Sequence, residues 1–231
     1  MDILESIKKR HSVRGYLSKD VSEDVVKDIL ETSKFSPSGV NSQPWKVYVV
    51  MGEARNKLVK EACEKFDKGE IETEEYQVYP SKESMPDWYK ARQRACGFGL
   101  YGALGIERDQ MDKRMAWAKK NYEFFDAPVG IFVTVHKSVG PNGWGHVGHF
   151  IQSICLAAVG KGLGTCLQEA WAGFPKLLKK HLEYGDDEIL WCGISLGYED
   201  QEHPANSVSP EREQVDSLSL IHISEPTRPR S

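Results

Sequence analysis

Two arginines and a serine at alternating positions near the start of the chain have the chemistry of an anion site. They are Arg10, Ser12 and Arg14, and they directly follow a helical pattern of apolar residues. If the chain is extended here, the three side chains point to the same side, because side chains alternate along a strand. Arginine stays charged and binds phosphate oxygens through paired N–H donors. We therefore predict a phosphate site, while a solvated basic edge is the alternative that this common spacing leaves open.

A polar loop over residues 36–44 is the second candidate. Its sequence, SPSGVNSQP, contains two prolines and a glycine and runs into Trp45. Gly39 permits backbone angles that other residues avoid. Ser38 and Asn41 supply hydrogen-bond donors and acceptors for the polar edge of a bound ring. An ordinary turn before a strand is the alternative interpretation.

Residues 160–169, GKGLGTCLQE, form a glycine-rich segment that differs from a dinucleotide-binding loop. The glycines follow a helical pattern rather than a strand, and their spacing does not match. We predict a helix C-terminus with a glycine exit, followed by a loop that exposes backbone amides. Such an amide could position the reactive atom of a cofactor. Arg212, much later in the chain, is a candidate third cation, with an ordinary surface arginine as the alternative.

These segments lie between elements that the hydrophobic periodicity predicts. Helices are predicted over residues 2–10, 22–34, 53–66, 111–124, 145–162 and 175–183, and strands over 45–51, 129–136 and 189–196. The helix over 145–162 is apolar around a wide arc and is expected to be central and buried. Helices outnumber strands and flank a sheet, which is typical of an α/β layered domain.

Composition narrows the class of protein. The 231 residues carry a net charge of −4, which argues against nucleic acid as the main partner. Five cysteines without a Cys-x-x-Cys pair indicate neither a disulfide framework nor a zinc site, and they favour a reducing, cytoplasmic location. We expect neither a signal peptide nor a membrane span, because the sequence shows no suitable apolar run.

One domain is predicted over residues 1–216, and two stretches of the chain are unusual. Residues 67–110 are rich in aromatic and charged residues and irregular in pattern, which favours a lid-like insertion. A surface extension is the alternative. Residues 217–231 show neither helical nor strand periodicity, and we interpret them as vector-derived sequence or a disordered tail.

Taken in order, these segments resemble the nitroreductase family over residues 1–216. Further similarities are the sequences LYGALGI at 100–106, NYEFFDAPV at 121–129 and GLGTC at 162–166. The resemblance implies an α+β sandwich in which helices flank a mostly antiparallel sheet, assembled as an interlocked homodimer. It also implies FMN as cofactor, NADH or NADPH as electron donor, and ping-pong reduction of a small aromatic acceptor, either a nitroaromatic or a quinone.

The resemblance assigns FMN contacts to individual residues. It implies that Arg10, Ser12 and Arg14 contact the phosphate, the ribityl chain and the ring edge, with His11 present through its backbone. The other implied contacts are Pro37, Ser38, Gly39 and Asn41, usually from the other subunit; Cys166, Leu167, Gln168 and Glu169, near flavin N5; and Arg212, at the phosphate. No catalytic side chain and no metal ligand is implied, because the flavin carries the chemistry.

Three features depart from the family pattern. Pro210 stands where family members often carry a basic residue, which weakens the expected phosphate site. The altered C-terminus puts the stability of the dimer in question. His146 and His149 stand in a region where related sequences often have an acidic residue. They could share a metal ion, but no third ligand is evident, so a packing or polar role is predicted.

Two other functions stay open. On the same fold, the middle stretch could select an amino-acid-like substrate for reductive dehalogenation, with Glu72, Tyr76 and either Lys82 or Lys90 as candidate residues. Alternatively, the protein could bind flavin as a sensor or carrier without turnover.

Overall fold

The computed structural model describes residues 2–218, and within them the chain forms eight α-helices and four strands. The helices are α1 (Ile3–Lys9), α2 (Glu23–Ser33), α3 (Gly52–Asp67), α4 (Asp87–Ala103), α5 (Met111–Lys119), α6 (Pro141–Gly160), α7 (Pro175–Leu182) and α8 (Val215–Leu218). The strands are β1 (Trp45–Met51), β2 (Val129–His136), β3 (Gly164–Gln168) and β4 (Glu188–Gly197). All but the first two residues of the suspected tail, 217–231, lie outside the described residues.

The four strands make one sheet in the order β1–β2–β4–β3, and every neighbouring pair is antiparallel. This confirms the antiparallel sheet that the sequence predicted. β1 and β2 have the predicted bounds, because β-branched and aromatic residues fill both strands. β2 is buried along its length except at His136, so it lies at the centre of the sheet.

Helices cover both faces of the sheet. On one face, α2 and α6 pack against Ile131 and Ile194. α6 buries Ile154 among many other apolar residues, so the prediction of a central helix is correct. On the other face, α3 and α7 pack against Phe132 and Trp171. The result is the predicted sandwich, in which the sheet lies between two helical layers.

β3 corrects the prediction of a loop after α6. The glycine exit itself is present, since Gly162 adopts a left-handed backbone with a φ of 74° and Leu163 N–H donates to Ala158 O at 2.9 Å. The next five residues form a strand rather than a loop. They are too few to show strand periodicity, and they are extended because they pair with β4.

α4 lies inside the stretch 67–110, which the sequence predicted as irregular. The helix has no buried residue and contains three glycines, so apolar periodicity does not mark it. Neither α4 nor any other helix in residues 2–218 combines the length and the hydrophobicity that a bilayer span requires.

Candidate functional site

The segment after α1 is extended and lies along the outer edge of β3. Ser12 forms a parallel bridge with Thr165, and Val13 N–H donates to the Thr165 carbonyl at 3.0 Å. The approach is close because Gly164 has no side chain; a Cβ there would lie 2.5 Å from Val13 Cγ2. Residues 10–14 therefore have the extended backbone that the predicted phosphate site requires.

The side chains of this segment alternate between two sides. His11 faces a cavity of about 150 Å³ beside the end of α6, and its imidazole lies 3.0 Å from the Glu199 carboxylate. Arg10, Ser12 and Arg14 do not line that cavity, as the alternation of an extended chain requires. The imidazole of His11 is thus engaged away from the arginines, and only its backbone is available on their side.

Arg10 and Arg14, here called the arginine pair, lie with Ser12 around the buried thiol of Cys166. Burial raises the pKa of this thiol, while the charges of both arginines and the Ser12 hydroxyl act in the opposite direction. Among residues 2–218 no carboxylate lies within 4.0 Å of either guanidinium. The edge of β3 therefore carries two positive charges that no described acid neutralises.

Asn206 fixes the backbone beside Arg14, a role that the sequence did not predict. Its Oδ1 accepts from Arg14 N–H at 2.7 Å, and its Nδ2 donates to Gly15 O and Asp200 O, both at 2.8 Å. Asn206 lies in the short 3₁₀ turn Pro204–Ser207. A contact between residues 192 positions apart has no local signal in the sequence.

Beyond the arginine pair, β3 presents an apolar side chain to solvent. Leu167 is 41% exposed, whereas Cys166 and Gln168 on either side are 2% and 1% exposed. Gln168 Nε2 donates to Asn121 O at 2.5 Å, and its Oε1 is buried without a partner in the described part of the chain. A ligand at this strand can contact the side chain of Leu167, whereas the side chains of Cys166 and Gln168 are buried.

The loop over residues 36–44 corrects the expected role of its glycine. Gly39 does not adopt a left-handed backbone, although three of its neighbours do. They are Val40, Asn41 and Gln43, with φ of 49°, 54° and 44°. Gly39 is needed instead for a close approach, because a Cβ there would lie 3.0 Å from His146 Cε1. No hydrogen bond among the described residues joins this loop to residues 10–14.

Polar groups of this loop differ in how they are engaged. Ser38 Oγ accepts from Gln43 N–H at 3.0 Å, which closes the loop, and the Pro37 carbonyl faces His149 Nδ1 at 3.4 Å. The Asn41 side-chain amide makes no hydrogen bond within residues 2–218. The loop therefore presents one unengaged amide at the surface.

Arg212 lies in a different environment from the arginine pair. It is exposed, and its Nη1 donates to two backbone carbonyls of its own turn, at 2.8 and 3.2 Å. The adjacent Glu213 pairs with Arg92 of α4 at 2.5 Å. Both contacts of Arg212 are local, and its place at the phosphate stays a prediction.

The middle stretch, 67–110, begins as an anchored segment. Glu72 accepts from two backbone N–H groups at the start of α7, at 2.7 and 3.3 Å. The Tyr76 hydroxyl donates to the carbonyl of Trp191 in β4 at 2.5 Å. Both residues are candidates for dehalogenation, and in this structure both hold the segment against the domain.

Tyr79 connects the same stretch to the end of β3. Its hydroxyl donates to Glu169 Oε2 at 2.6 Å, and burial together with this carboxylate raises the pKa of Tyr79, which keeps the donor protonated. A groove of about 490 Å³ lies between Tyr79 and α4. Its lining consists of Tyr79, Trp88, Tyr89, Arg92, Gln93, Cys96 and Gly97. Three aromatic rings in one groove suit a flat aromatic compound.

Comparisons with known proteins agree with this architecture. The model of the nitroreductase family matches residues 7–198. The 4-nitrobenzoate reductase of Nocardioides sp. (strain LMS-CY) is 36% identical over 91% of this chain and 85% of its own length. The nitrobenzene nitroreductase of Ectopseudomonas oleovorans is 35% identical over 93% of this chain and 94% of its own length.

Solved structures show the same fold. The FMN and NADPH-dependent nitroreductase NfnB from Sphigopyxis sp. strain HMH has a TM-score of 0.91 and 32% identity, covering 97% of this chain and 100% of that one. The FMN-dependent NfnB from Mycobacterium smegmatis, solved in complex with NADPH, has a TM-score of 0.90 and 25% identity, covering 96% and 100%. These matches over most of the chain confirm the resemblance that the sequence predicted, and the chain belongs to the nitroreductase family.

Proposed function

We propose that the protein is an FMN-dependent oxidoreductase that takes electrons from NADPH or NADH and reduces nitroaromatic compounds or quinones. Its relatives are named for the reduction of 4-nitrobenzoate and nitrobenzene, and the two NfnB structures are described as FMN-dependent. One observation carries the proposal for this chain. Two half-buried guanidinium groups, with no described carboxylate within 4.0 Å, flank Ser12 in the segment that pairs with Thr165 of β3.

The donor set fits FMN. Two guanidinium groups and a hydroxyl match the charge and the acceptor oxygens of a phosphate. Leu167, on the same strand edge, offers an exposed apolar surface to a ring. β3 is the last strand of the sheet, and beyond Thr165, where residues 12–13 pair with it, its outer backbone groups are available to polar ring atoms. A molecule with a phosphate at one end and an aromatic ring at the other satisfies this order of groups.

The residues of this chain bind and orient, while FMN, when bound, supplies the two-electron chemistry. The arginine pair and Ser12 hold the phosphate. The charge of Arg14 stabilises negative charge on a ring bound beside it. We assign the groove between Tyr79 and α4 to the flat rings of donor and acceptor, which occupy it in turn. Such alternation is the ping-pong order.

A homodimer is part of this proposal. Three apolar side chains of α1 are at least half exposed: Ile3 at 58%, Leu4 at 63% and Ile7 at 50%. Val40, in the strained loop, is fully exposed. A second copy of the chain would cover such side chains, and the family resemblance implies that Pro37, Ser38, Gly39 and Asn41 approach the FMN of the other subunit. Sedimentation equilibrium should give twice the subunit mass, and a monomer at micromolar concentration would contradict the dimer.

We also propose a cytoplasmic location and a single domain over residues 1–216. All five cysteines lie in the described part of the chain and none forms a disulfide, which suits a reducing compartment. One continuous sheet with helices on both faces supports one domain.

The proposal predicts a yellow protein. Its flavin absorbance should bleach on anaerobic addition of NADPH or NADH and return when 4-nitrobenzoate or a quinone is added. A colourless protein that takes up no added FMN would refute the cofactor. Bound FMN that neither donor reduces would favour the sensor or carrier. Stopped-flow comparison of the two donors, followed by a panel of acceptors, would identify the preferred pair.

Reductive dehalogenation is the second candidate, and the contacts of Glu72 and Tyr76 favour an anchoring role for these two residues over a substrate-binding one. Halide release from a halotyrosine by the reduced protein would nevertheless revive it. We expect none.

A further inference from the structure

Three side chains on one face of α6 hold the first half of the loop over residues 36–44. They are spaced at i, i+3 and i+7, which places them on the same side of a helix. The contacts are Gly39 N–H to His146 Nε2 at 3.1 Å, His149 Nδ1 to Pro37 O at 3.4 Å, and Ser36 Oγ to Ser153 Oγ at 2.7 Å. Neither histidine has a role in the proposed function so far.

The contact with Gly39 fixes the protonation of His146. A backbone N–H can only donate, so Nε2 must offer a lone pair. The proton of the neutral imidazole is therefore on Nδ1, which is buried and has no partner within residues 2–218. An imidazolium has no lone pair and could not accept from Gly39. His146 is thus held as one neutral tautomer by the loop that it contacts.

The loop needs such a support because its conformation is strained. Left-handed backbone is unfavourable for residues other than glycine, and most of all for a β-branched residue such as Val40. Val40 is fully exposed, so packing of its side chain does not compensate within the subunit. The contact at Gly39 immediately precedes it. The imidazole also fills the space where a Cβ of residue 39 would lie, at 3.0 Å from Cε1 and 3.3 Å from Nε2.

We propose that His146 is a positioning residue for cofactor binding. By accepting from Gly39, it holds the strained turn that contains Ser38 and the exposed, unengaged amide of Asn41. This inference rests on the proposed function, in which those two residues contact the FMN of the second subunit. His146 itself does not touch the cofactor; it acts through the backbone of the loop.

Two substitutions at one position test this role. In His146→Gln, the amide oxygen lies near the former position of Nε2 and can accept from Gly39, whereas His146→Leu fills similar space without an acceptor. We expect the leucine variant to raise the hydrogen-exchange rate of the Gly39 amide about 10-fold in FMN-free protein and to weaken FMN binding about 10-fold, the effect of losing one hydrogen bond. In the glutamine variant, the exchange rate of the Gly39 amide and the affinity for FMN should both be close to those of wild type.

Exchange of the buried Phe132 amide in β2 serves as the internal reference, since a local role leaves it unchanged. Gly39→Ala provides a second route if His146→Leu does not fold, because the added methyl group disturbs the same contact from the loop side. The proposal would be overturned if the leucine or alanine variant kept the wild-type exchange rate of the Gly39 amide and the wild-type affinity for FMN. It would also be overturned if the glutamine variant were as impaired as the leucine variant. If wild-type protein binds no FMN, the proposed function fails, while the exchange measurements still decide whether His146 holds the loop.

Discussion

The sheet has a cluster of charged and polar side chains near each end of β4, and the two clusters are built in opposite ways. At the start of the strand, Glu188 is 2% exposed and every oxygen of its carboxylate accepts hydrogen bonds. The donors are Lys46 Nζ at 2.8 Å, Tyr48 OH at 2.9 and 3.0 Å, Thr134 Oγ1 at 2.5 Å and Gly185 N–H at 3.2 Å. Near the other end, the arginine pair has no acid within reach in residues 2–218.

The contrast separates a stabilising cluster from a binding cluster. A buried charge that is paired and fully hydrogen-bonded has nothing left to offer a ligand, and its removal costs stability. Two like charges without a counter-charge repel each other and contribute little to folding, so an anionic ligand supplies what is missing. We therefore propose that one end of β4 holds the sheet together and that the cluster near the other end binds the ligand.

The pKa values in the stabilising cluster around Glu188 agree with this full set of hydrogen bonds. Burial acts to raise the pKa of Glu188, but the hydrogen bonds from Lys46, Thr134 and Tyr48 outweigh it, and the pKa is lowered overall. Burial and the neighbouring carboxylate raise the pKa of Tyr48 to about 12. The carboxylate is thus charged and the phenol neutral at physiological pH, as the hydrogen bonds require.

The largest expected effect is the loss of FMN binding when both members of the arginine pair are replaced. Each charge-assisted contact contributes about 1.5–3 kcal/mol, so Arg10→Ala with Arg14→Ala should weaken FMN binding by roughly 100-fold or more. Affinity is measured by quenching of flavin fluorescence. The same double substitution should weaken the binding of riboflavin much less, because riboflavin lacks the phosphate.

Lys8→Ala with Lys9→Ala is the matched control, because it removes two exposed positive charges from the neighbouring helix turn. The control should bind FMN almost as tightly as wild type. Equal losses in both double variants would mean that net charge, rather than the arrangement at β3, attracts the cofactor. The midpoint of thermal unfolding of FMN-free protein should barely change in either variant.

The next largest effect is on stability, at the other end of β4. Glu188→Ala removes the common acceptor of two hydroxyl groups, an ammonium group and an amide, and should lower the free energy of unfolding by about 3 kcal/mol. Urea titration measures the change. Asp187→Ala is the control, since the carboxylate of Asp187 is 62% exposed and its pairing contributes little. A stable Glu188→Ala protein, or one that folds but has lost FMN affinity, would break the proposed division between the two clusters.

The sequence predicts the regular parts of the fold and the donor chemistry of the binding cluster. β1 and β2 are marked by their own residues, and the alternation of Arg10, Ser12 and Arg14 follows from an extended chain. β3 could not be predicted, because its five residues become a strand only by pairing with β4.

Contacts between distant parts of the chain account for the rest. Asn206 supports Arg14 from 192 positions away, and Glu188 accepts from Lys46 over 142 positions. Neither residue is marked by its neighbours in the sequence. Gly39 illustrates a subtler limit: its presence signals an unusual backbone, but the glycine itself serves the approach to His146 while other residues carry the left-handed angles.

A smaller loss of stability is expected when one hydrogen bond of the stabilising cluster around Glu188 is removed. Thr134→Val keeps the shape of a fully buried side chain but removes the donor to Glu188 Oε2. The free energy of unfolding should fall by about 1–2 kcal/mol. In a Glu188→Ala background the same substitution should cost much less, because the acceptor is already gone. Equal costs in the two backgrounds would show that the hydroxyl acts independently of the carboxylate.

The smallest effect is a pH dependence that belongs to the stabilising cluster alone. The pKa of Glu188 is lower in the folded protein than its usual 4.5, so folding favours the charged form. The contribution of Glu188 to stability is complete above the pKa that Glu188 has in the unfolded chain. It is lost as the pH falls through the lower pKa that Glu188 has in the folded protein. The difference in unfolding free energy between wild type and Glu188→Gln should therefore shrink from about pH 6 to about pH 3. The arginine pair stays charged over this range, so Arg10→Ala with Arg14→Ala should shift stability by a constant amount. A pH-independent gap between wild type and Glu188→Gln would mean that Glu188 stabilises the sheet through shape rather than charge.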